Sequence, residues 1–214
     1  LLDRVNRSIA SLDFVYLVET KKRKLAVPSR SFTESEERIK GGFVRESTPG
    51  VYKNILVLDF KSLYPSIIRT FNIDPVAYVP QSRRDSIKEN DLIIAPNGAA
   101  FRREEGILPY LIQTLWKQRD IAKKEKNKPA SNAIKLLMNS FFGVLANPTC
   151  RFYSLEMANA ITHFGQALLK MTAKKIEEMG YNVIYGDTDS IFVDAKAKDE
   201  ADAVASVEDL GEKL

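Results

Sequence analysis

The chain has 214 residues, of which 44% are hydrophobic and 28% charged, a balance typical of a globular domain with a sizeable core. Its formal net charge of +4 permits an anionic partner without establishing one. The single cysteine, Cys150, excludes an internal disulfide framework and is typical of a reducing compartment. Because Cys150 has apolar neighbours and is far in sequence from the one histidine, His163, a cysteine hydrolase is not indicated.

The sequence predicts no membrane segment. No apolar run approaches the ~20 residues that span a bilayer, and the first residues lack the apolar region of a signal peptide. We therefore expect a cytoplasmic protein with no membrane partner.

The first third of the chain predicts two strands and one helix. "FVYLVET" (14–20) predicts a strand, and the polar "SRSFTESEERIK" (29–40) predicts a loop or exposed helix that ends at Gly41 and Gly42. "NILVLDF" (54–60) is apolar on both faces, which predicts a central strand covered on both sides. "KSLYPSIIRTF" (61–71) predicts a tight turn into a helix, with Pro65 at the first helical position.

The rest of the chain is mainly helical by pattern. Turn signals and the run "LIIA" predict a loop-rich excursion over 72–106 with one hairpin, and a third helix is predicted over 155–179, ending at Gly180. "VIYGDTDSIFV" (183–193) predicts two short strands joined by a tight turn at "GDTD", and residues 198–214 predict an exposed helix. Between these, "KNKPAS" (126–131) separates two helical stripes and predicts an antiparallel helical hairpin. The stripes are Leu108, Leu111, Ile112 and Leu115, then Ile134, Leu137, Met138, Phe141 and Leu145.

Three carboxylates are candidates for a metal site. Asp59 ends a predicted buried strand, and Asp187 and Asp189 flank one threonine in the predicted hairpin. Each has a plain structural explanation, because Asp59 could cap the next helix or pair with a cation, and turn aspartates commonly face water. Residues two apart in a strand share a face. If Asp59 ends a neighbouring strand, three charges converge, and their repulsion raises pKa values or requires a cation. Oxygen ligands favour Mg²⁺ or Mn²⁺ over zinc, and open coordination positions suit phosphoryl transfer.

The helical hairpin carries donors for an anion. Arg119 and Lys123 are four apart and share a helix face beside an apolar stripe, as do Lys135 and Asn139. We expect these pairs to clamp an oligophosphate, together with the backbone amides of 62–64 at a helix N-terminus. The alternative, a solvated basic face with loose contact to nucleic-acid phosphates, is preferred for Lys124, Lys126 and Lys128.

Three segments together resemble a known family. "DFKSLYPSI" (59–67), "KLLMNSFFG" (135–143) and "YGDTDS" (185–190) resemble, in order, the polymerase motifs of family B DNA polymerases of the archaeal and bacterial polymerase II type. The helix with Arg119 and Lys123 resembles the family's finger helix, and "KGGFV" (40–44) resembles its glycine-pair motif. A lone Asp-Thr-Asp would be weak evidence for the family, whereas three motifs in this order are specific for it. The resemblance covers nearly the whole chain.

The resemblance implies an α+β fold, with a polymerase palm whose mainly antiparallel sheet packs on helices, plus an inserted antiparallel helical hairpin, the fingers. It implies palm over 1–105, fingers over 106–147 and palm over 148–214. It implies primer-template DNA and dNTPs as partners, two Mg²⁺ ions with Mn²⁺ as an alternative, and association with the nucleoid if the organism is a prokaryote.

The resemblance also implies a role for each motif residue. Catalysis would involve Asp59, Asp187, Asp189 and Lys135, the last as proton donor to pyrophosphate. The metals would bind Asp59, Asp187, Asp189 and the carbonyl of Phe60. The incoming nucleotide would bind Ser62, Leu63, Tyr64, Arg119, Lys123, Lys135 and Asn139, with Tyr64 excluding a 2′-hydroxyl. Primer or template contacts would come from Gly41, Gly42, Phe142, Gly143, Tyr185 and Thr188.

The chain departs from the family pattern in two ways. Phe142 stands where the family usually has tyrosine, which removes a hydroxyl near the nascent base pair. The thumb and the exonuclease domain, with its Asp-x-Glu motif, are expected to be absent, so the chain would be an excised fragment or one piece of a split enzyme whose second chain supplies them. Two functions follow: DNA synthesis, or a non-catalytic module that binds nucleotide or DNA and is inactive without its partner.

Overall fold

The computed structural model describes residues 8–29 and 39–213, with side chains from residue 12 onward. In chain order its main elements are helix α1 (Ser8–Lys22), strands β1 (Val44–Arg45) and β2 (Ile55–Asp59), helix α2 (Leu63–Thr70), strands β3 (Tyr78–Val79), β4 (Leu92–Ile94) and β5 (Ala100–Arg102), helices α3 (Ile107–Lys124), α4 (Lys128–Ala146) and α5 (Leu155–Glu178), strands β6 (Asn182–Asp187) and β7 (Ser190–Asp194), and helix α6 (Glu200–Lys213). Two 3₁₀ helices, Gln81–Ser86 and Glu89–Asp91, precede β4.

The described chain forms two compact units. The first, here called the hairpin unit, combines the described residues up to Lys40 with Tyr64–Thr162. The second, here called the sheet unit, combines Gly41–Leu63 with the described residues from His163 onward. Among the helices that the structure describes, none has the length and apolar character needed to cross a bilayer.

The sheet unit is built on a four-stranded antiparallel sheet in the order β1-β6-β7-β2. Helices α5 and α6 cover one face of this sheet. The predicted helices over 155–179 and 198–214 are therefore confirmed, and Gly180, with φ +89°, follows the end of α5. The core consists of Leu56, Leu169, Ala173, Ile176, Val183, Ile191, Val193, Ala195, Ala203 and Leu210.

Strand β2 forms as predicted, but its predicted central position is wrong. Within the described residues β2 pairs with β7 alone, at the edge of the sheet. Leu56 is buried, whereas Ile55 and Val57 are 40% and 56% exposed. A continuous apolar run could not reveal this, because β-branched residues favour strands whether or not both faces are covered.

The hairpin unit contains the predicted helical hairpin. Helices α3 and α4 pack against each other and are joined by residues 125–127. Asn127 caps α4 by accepting a hydrogen bond from the Ala130 amide at 3.1 Å, and a proline occupies the first turn. The predicted break at "KNKPAS" is confirmed, and both stripes supply buried core residues, among them Leu108, Leu111, Ile112, Met138, Phe141 and Leu145.

The predicted strand over 14–20 is wrong, because these residues belong to α1. Leu12, Tyr16 and Thr20 are buried at a spacing of four, while Phe14 is 67% exposed. The aromatic and β-branched composition suggested a strand, but burial follows the helical period. Helix α1 packs against α3 and α4.

The excursion after α2 contains a small antiparallel sheet, ordered β3-β5-β4. The predicted hairpin is confirmed as β4 and β5, and "LIIA" supplies β4. The predicted turn into α2 is also confirmed, with Ser62 at φ +52°, although Pro65 is the third helical residue rather than the first. Most of the predicted polar segment over 29–40 lies outside the described residues.

Candidate active site

The aspartate pair lies on the connection between β6 and β7. Asp187 pairs with Ser190 in the strand register, so Thr188 and Asp189 form a two-residue turn. Thr188 has φ +52°, and the Asp189 amide donates to the Asp187 carbonyl at 2.6 Å. The predicted tight turn is confirmed. The expectation that both aspartates share one strand face is wrong, since Asp189 lies in the turn and not in a strand.

Strand pairing brings Asp59 beside this turn. Asp59 is the register partner of Ser190, and the Ser190 hydroxyl donates to Asp59 Oδ1 at 2.9 Å. The Phe60 amide donates to the Asp189 carbonyl at 2.8 Å. Backbone hydrogen bonds thus hold the end of β2 next to the turn, although Asp59 and Asp189 are far apart in sequence.

The surroundings of Asp189 in the turn disfavour its ionised form when no cation is bound. Partial burial raises the pKa of Asp189, and the nearby charges of Asp59 and then Asp187 raise it further. Because the pKa of Asp189 is higher in the folded than in the unfolded state, ionisation of Asp189 lowers the free energy of unfolding at pH values above the folded-state pKa. This free energy is regained as the pH falls through the folded-state pKa. A cation bound here would reverse the shift.

The donor set fits a hard cation in its chemistry. Asp59, Asp187 and Asp189 offer only oxygen atoms, which suit Mg²⁺ or Mn²⁺. The Asp187 carboxylate accepts from the Thr188 hydroxyl at 2.8 Å. Over residues 8–29 and 39–213, no group of three or more His, Cys, Asp or Glu side chains is arranged as a metal cage. The fit is therefore one of ligand type and charge.

Of the two adjacent glycines, Gly42 packs on the same turn. A Cβ at Gly42 would lie 2.6 Å from Thr188 Oγ1, whereas a Cβ at Gly41 would meet no described atom within 4 Å. The Thr188 amide donates to the Phe43 carbonyl at 3.0 Å, and Gln166 Nε2 donates to the Gly41 carbonyl at 2.8 Å. Sequence reasoning missed Gln166 and Ser190 as supports of the site. The glycines were the available signal, since glycine before a strand can mark close backbone approach.

The other predicted site residues are spread over both units. Tyr64, Arg119, Lys123, Lys135, Asn139, Phe142 and Gly143 belong to the hairpin unit, and Ser62, Leu63 and Tyr185 belong to the sheet unit. Arg119 is buried on α3, one turn before the exposed Lys123, and Lys135 and Asn139 are exposed on α4. The rings of Tyr64 and Phe142 lie 4.7 Å apart between centroids, tilted by 40°. The ring of Tyr185 packs on Phe192 at 5.4 Å.

The fold resembles that of a solved polymerase. The structure is similar to that of the family B DNA polymerase from the hyperthermophilic archaeon Pyrobaculum calidifontis, with a TM-score of 0.70 and 28% identity over 95% of this chain and 28% of that one. The expected α+β fold, with an antiparallel sheet and a helical hairpin, is confirmed.

Sequence comparison defines the family. The family model for DNA polymerase family B matches residues 7–214, and the chain belongs to that family. It is 39% identical over 209 residues to DNA polymerase II of Escherichia coli strain K12, covering 96% of this chain and 26% of that protein. It is 34% identical over 217 residues to the DNA polymerase of Archaeoglobus fulgidus, covering 95% of this chain and 26% of that protein. The chain therefore spans about a quarter of these relatives.

Proposed function

We propose that the chain carries the centre for template-directed DNA synthesis, in which a deoxynucleotidyl group passes from a dNTP to a primer 3′-hydroxyl. The observation that carries the proposal is the backbone pairing of the end of β2 with the β6–β7 turn, through the Phe60 amide and the Asp189 carbonyl. Family membership, and relatives named as DNA polymerases, support the same reaction.

Asp59 and Asp189 would be the principal metal ligands, with Asp187 and the Phe60 carbonyl completing the set. Two bound Mg²⁺ ions would lower the pKa of the primer 3′-hydroxyl and neutralise charge on the triphosphate. Strand pairing and the hydrogen bond from Ser190 orient Asp59 before any ligand arrives. The protein would thus contribute a preorganised ligand geometry.

The hairpin unit would bind the triphosphate. Arg119, Lys123, Lys135 and Asn139 would interact with its oxygens, together with the amides of Ser62, Leu63 and Tyr64. Lys135 is exposed on α4, and its ammonium group is the proposed proton donor to the leaving pyrophosphate. The proposed domain assignment is palm over 1–105 and 148–214, with fingers over 106–147.

Tyr64 would exclude a ribose 2′-hydroxyl. Packing against Phe142 restricts the motion of the Tyr64 ring, so the sugar would contact a fixed ring rather than a mobile side chain. Gly41, Gly42, Phe142, Gly143, Tyr185 and Thr188 would contact primer or template DNA.

Primer extension tests this proposal. The chain, alone and combined with a second chain that supplies the remaining family domains, would be given a labelled primer-template, dNTPs and Mg²⁺. Magnesium-dependent extension in either arm supports synthesis. Binding of dNTP or DNA in both arms without extension would instead favour the non-catalytic module.

A further inference from the structure

A buried polar junction lies at the base of helix α3, within the hairpin unit. Asp74 is fully buried, and its carboxylate accepts three hydrogen bonds. These come from the Tyr16 hydroxyl at 3.0 Å, the Val76 amide at 2.7 Å and the Leu108 amide at 2.6 Å. The last of these amides belongs to the first turn of α3, where backbone donors have no partner inside the helix.

Asn72 completes the junction from the same loop. It is 6% exposed and has φ +51°. Its Oδ1 accepts from the Gly106 amide at 2.8 Å, and its Nδ2 donates to the carbonyls of Arg102 and Glu104 at 2.5 and 2.6 Å. The Asn72 side chain thus links β5 and the loop that follows it to Gly106, the residue immediately before α3.

Gly106 is required by contact and not by backbone conformation. It is the N-cap of α3, with φ −72° and ψ 173°, a conformation open to any residue, and its own side chain provides no cap. A Cβ here would lie 2.5 Å from Asp74 Cβ and 2.7 Å from Asp74 Cγ. The close approach lets the carboxylate of Asp74 serve as the missing cap, and negative charge is favourable at a helix N-terminus.

Arg69, at the end of α2, holds the next turns of α3. Its Nη1 donates to Gln113 Oε1 at 2.8 Å, and its guanidinium lies 4.8 Å from the centroid of the Trp116 ring. The start of α3 is therefore fixed at two levels: by the buried junction at its first turn, and by α2 along its second and third turns.

We propose that Asn72 and Asp74 are positioning residues, which fix the direction of α3 and thereby the location of Arg119 and Lys123. This inference rests on the proposed function, in which Arg119 and Lys123 bind the triphosphate. Arg119 follows Ile107 by 12 residues, 119 minus 107, or about 18 Å of helix. A tilt of roughly 5° at the base would move it by roughly 1.5 Å, enough to lower kcat/KM for dNTP by about tenfold to a hundredfold.

The matched substitutions are Gly106→Ala and Gly211→Ala, tested in the 214-residue chain and in a primer-extending form of the protein. At Gly211 a Cβ would meet no described atom within 4 Å, so the same chemical change is made without a clash. The first readout is amide hydrogen exchange over residues 107–116, supported by the emission of Trp116, the one tryptophan in the sequence. The second is the KM for dNTP, compared with kcat, in single-nucleotide incorporation.

We expect Gly106→Ala to speed exchange in the first turns of α3 and to raise the KM for dNTP about tenfold or more, with a smaller change in kcat. Gly211→Ala should change neither. Should Gly106→Ala fail to fold, Tyr16→Phe removes one donor to Asp74 at nearly constant size and should act in the same direction. Asp74→Asn, which keeps an acceptor, should be milder than Asp74→Ala.

Unchanged exchange at the start of α3 in Gly106→Ala and Tyr16→Phe would overturn the proposal. Faster exchange with an unchanged KM would overturn it too, because the junction would then serve stability alone. Failure of the proposed function is recognised separately: Arg119→Ala and Lys123→Ala leave the junction intact, and an unchanged KM in both would mean that α3 does not bind the triphosphate.

Discussion

The two units hold their candidate residues by different physical means. In the sheet unit, strand register and main-chain hydrogen bonds place Asp59 next to the turn of Asp187 and Asp189. In the hairpin unit, Lys123 and Lys135 reach out from helix surfaces on long, exposed side chains. Carboxylates that would hold ions at about 2 Å need fixed positions, whereas a lysine ammonium on its flexible stem tolerates small shifts of its helix. The buried Arg119 has less of this freedom. The comparison can be tested by changing one unit at a time.

The largest effect is expected in the sheet unit, from Asp189→Ala. Loss of the proposed metal ligand would remove charge stabilisation from the reacting phosphoryl group, so primer extension should fall by about 10³-fold or more. Asp209→Ala is the matched control, since Asp209 is an exposed carboxylate that pairs with Lys213 on α6. Near-normal extension by the Asp189 variant would contradict the assignment.

The next largest effect is expected in the hairpin unit, from Lys135→Ala. Loss of the proposed proton donor and phosphate contact should lower kcat/KM for dNTP by about 10²-fold to 10³-fold. Lys124→Ala removes an exposed lysine from the same hairpin and should change kcat/KM little. Equal effects of the two substitutions would mean that the hairpin acts only through its general charge.

Sugar selection should respond to Tyr64→Ala. Removing the ring opens space for a 2′-hydroxyl, so the preference for dNTP over rNTP should fall by about tenfold to a hundredfold. Tyr64→Phe keeps the ring and its packing against Phe142, and should keep the preference. Competitive incorporation of the two nucleotides measures this, and equal selectivity in all three proteins would exclude Tyr64 as the sugar filter.

The smallest of these effects compares two adjacent glycines. Gly42→Ala places a Cβ 2.6 Å from Thr188 Oγ1 and must displace the Thr188 side chain, while Gly41→Ala meets no described atom within 4 Å. Overpacking of this kind costs about 1–3 kcal/mol, and we expect about a tenfold loss of extension for Gly42→Ala alone. The double variant Gly42→Ala/Thr188→Ala should recover part of it. Similar losses at Gly41 and Gly42 would argue for DNA contact rather than support of the turn.

Local patterns predicted much of this fold. The turn at "GDTD" and the break before α4 follow from glycine, aspartate and proline chemistry, and the stripes of α3 and α4 follow from their helical period. The strand predicted over residues 14–20 was wrong because the aromatic and β-branched composition favoured a strand, whereas the buried residues follow a helical period. The predicted central position of β2 was wrong because strand neighbours are set by segments far away in sequence.

The candidate site was predictable to a lesser extent. The residue pattern singled out Asp59, Asp187 and Asp189 as candidates, and the motif resemblance implied their roles. The hydrogen bond from Ser190 and the close approach of Gly42 to Thr188 depend on contacts that no local pattern contains. The junction of Asn72, Asp74 and Gly106 was not foreseen for the same reason. Buried polar residues are recognised by their partners, and these partners come from separate segments.

Cation binding tests the central claim most directly. Mn²⁺ binding to the 214-residue chain would be followed by electron paramagnetic resonance in the presence of dNTP, for the wild type, Asp59→Ala, Asp189→Ala and the control Asp209→Ala. We expect the wild type and the control to bind Mn²⁺ alike, and both site variants to bind it far more weakly. Unchanged Mn²⁺ affinity in the two site variants would contradict the account.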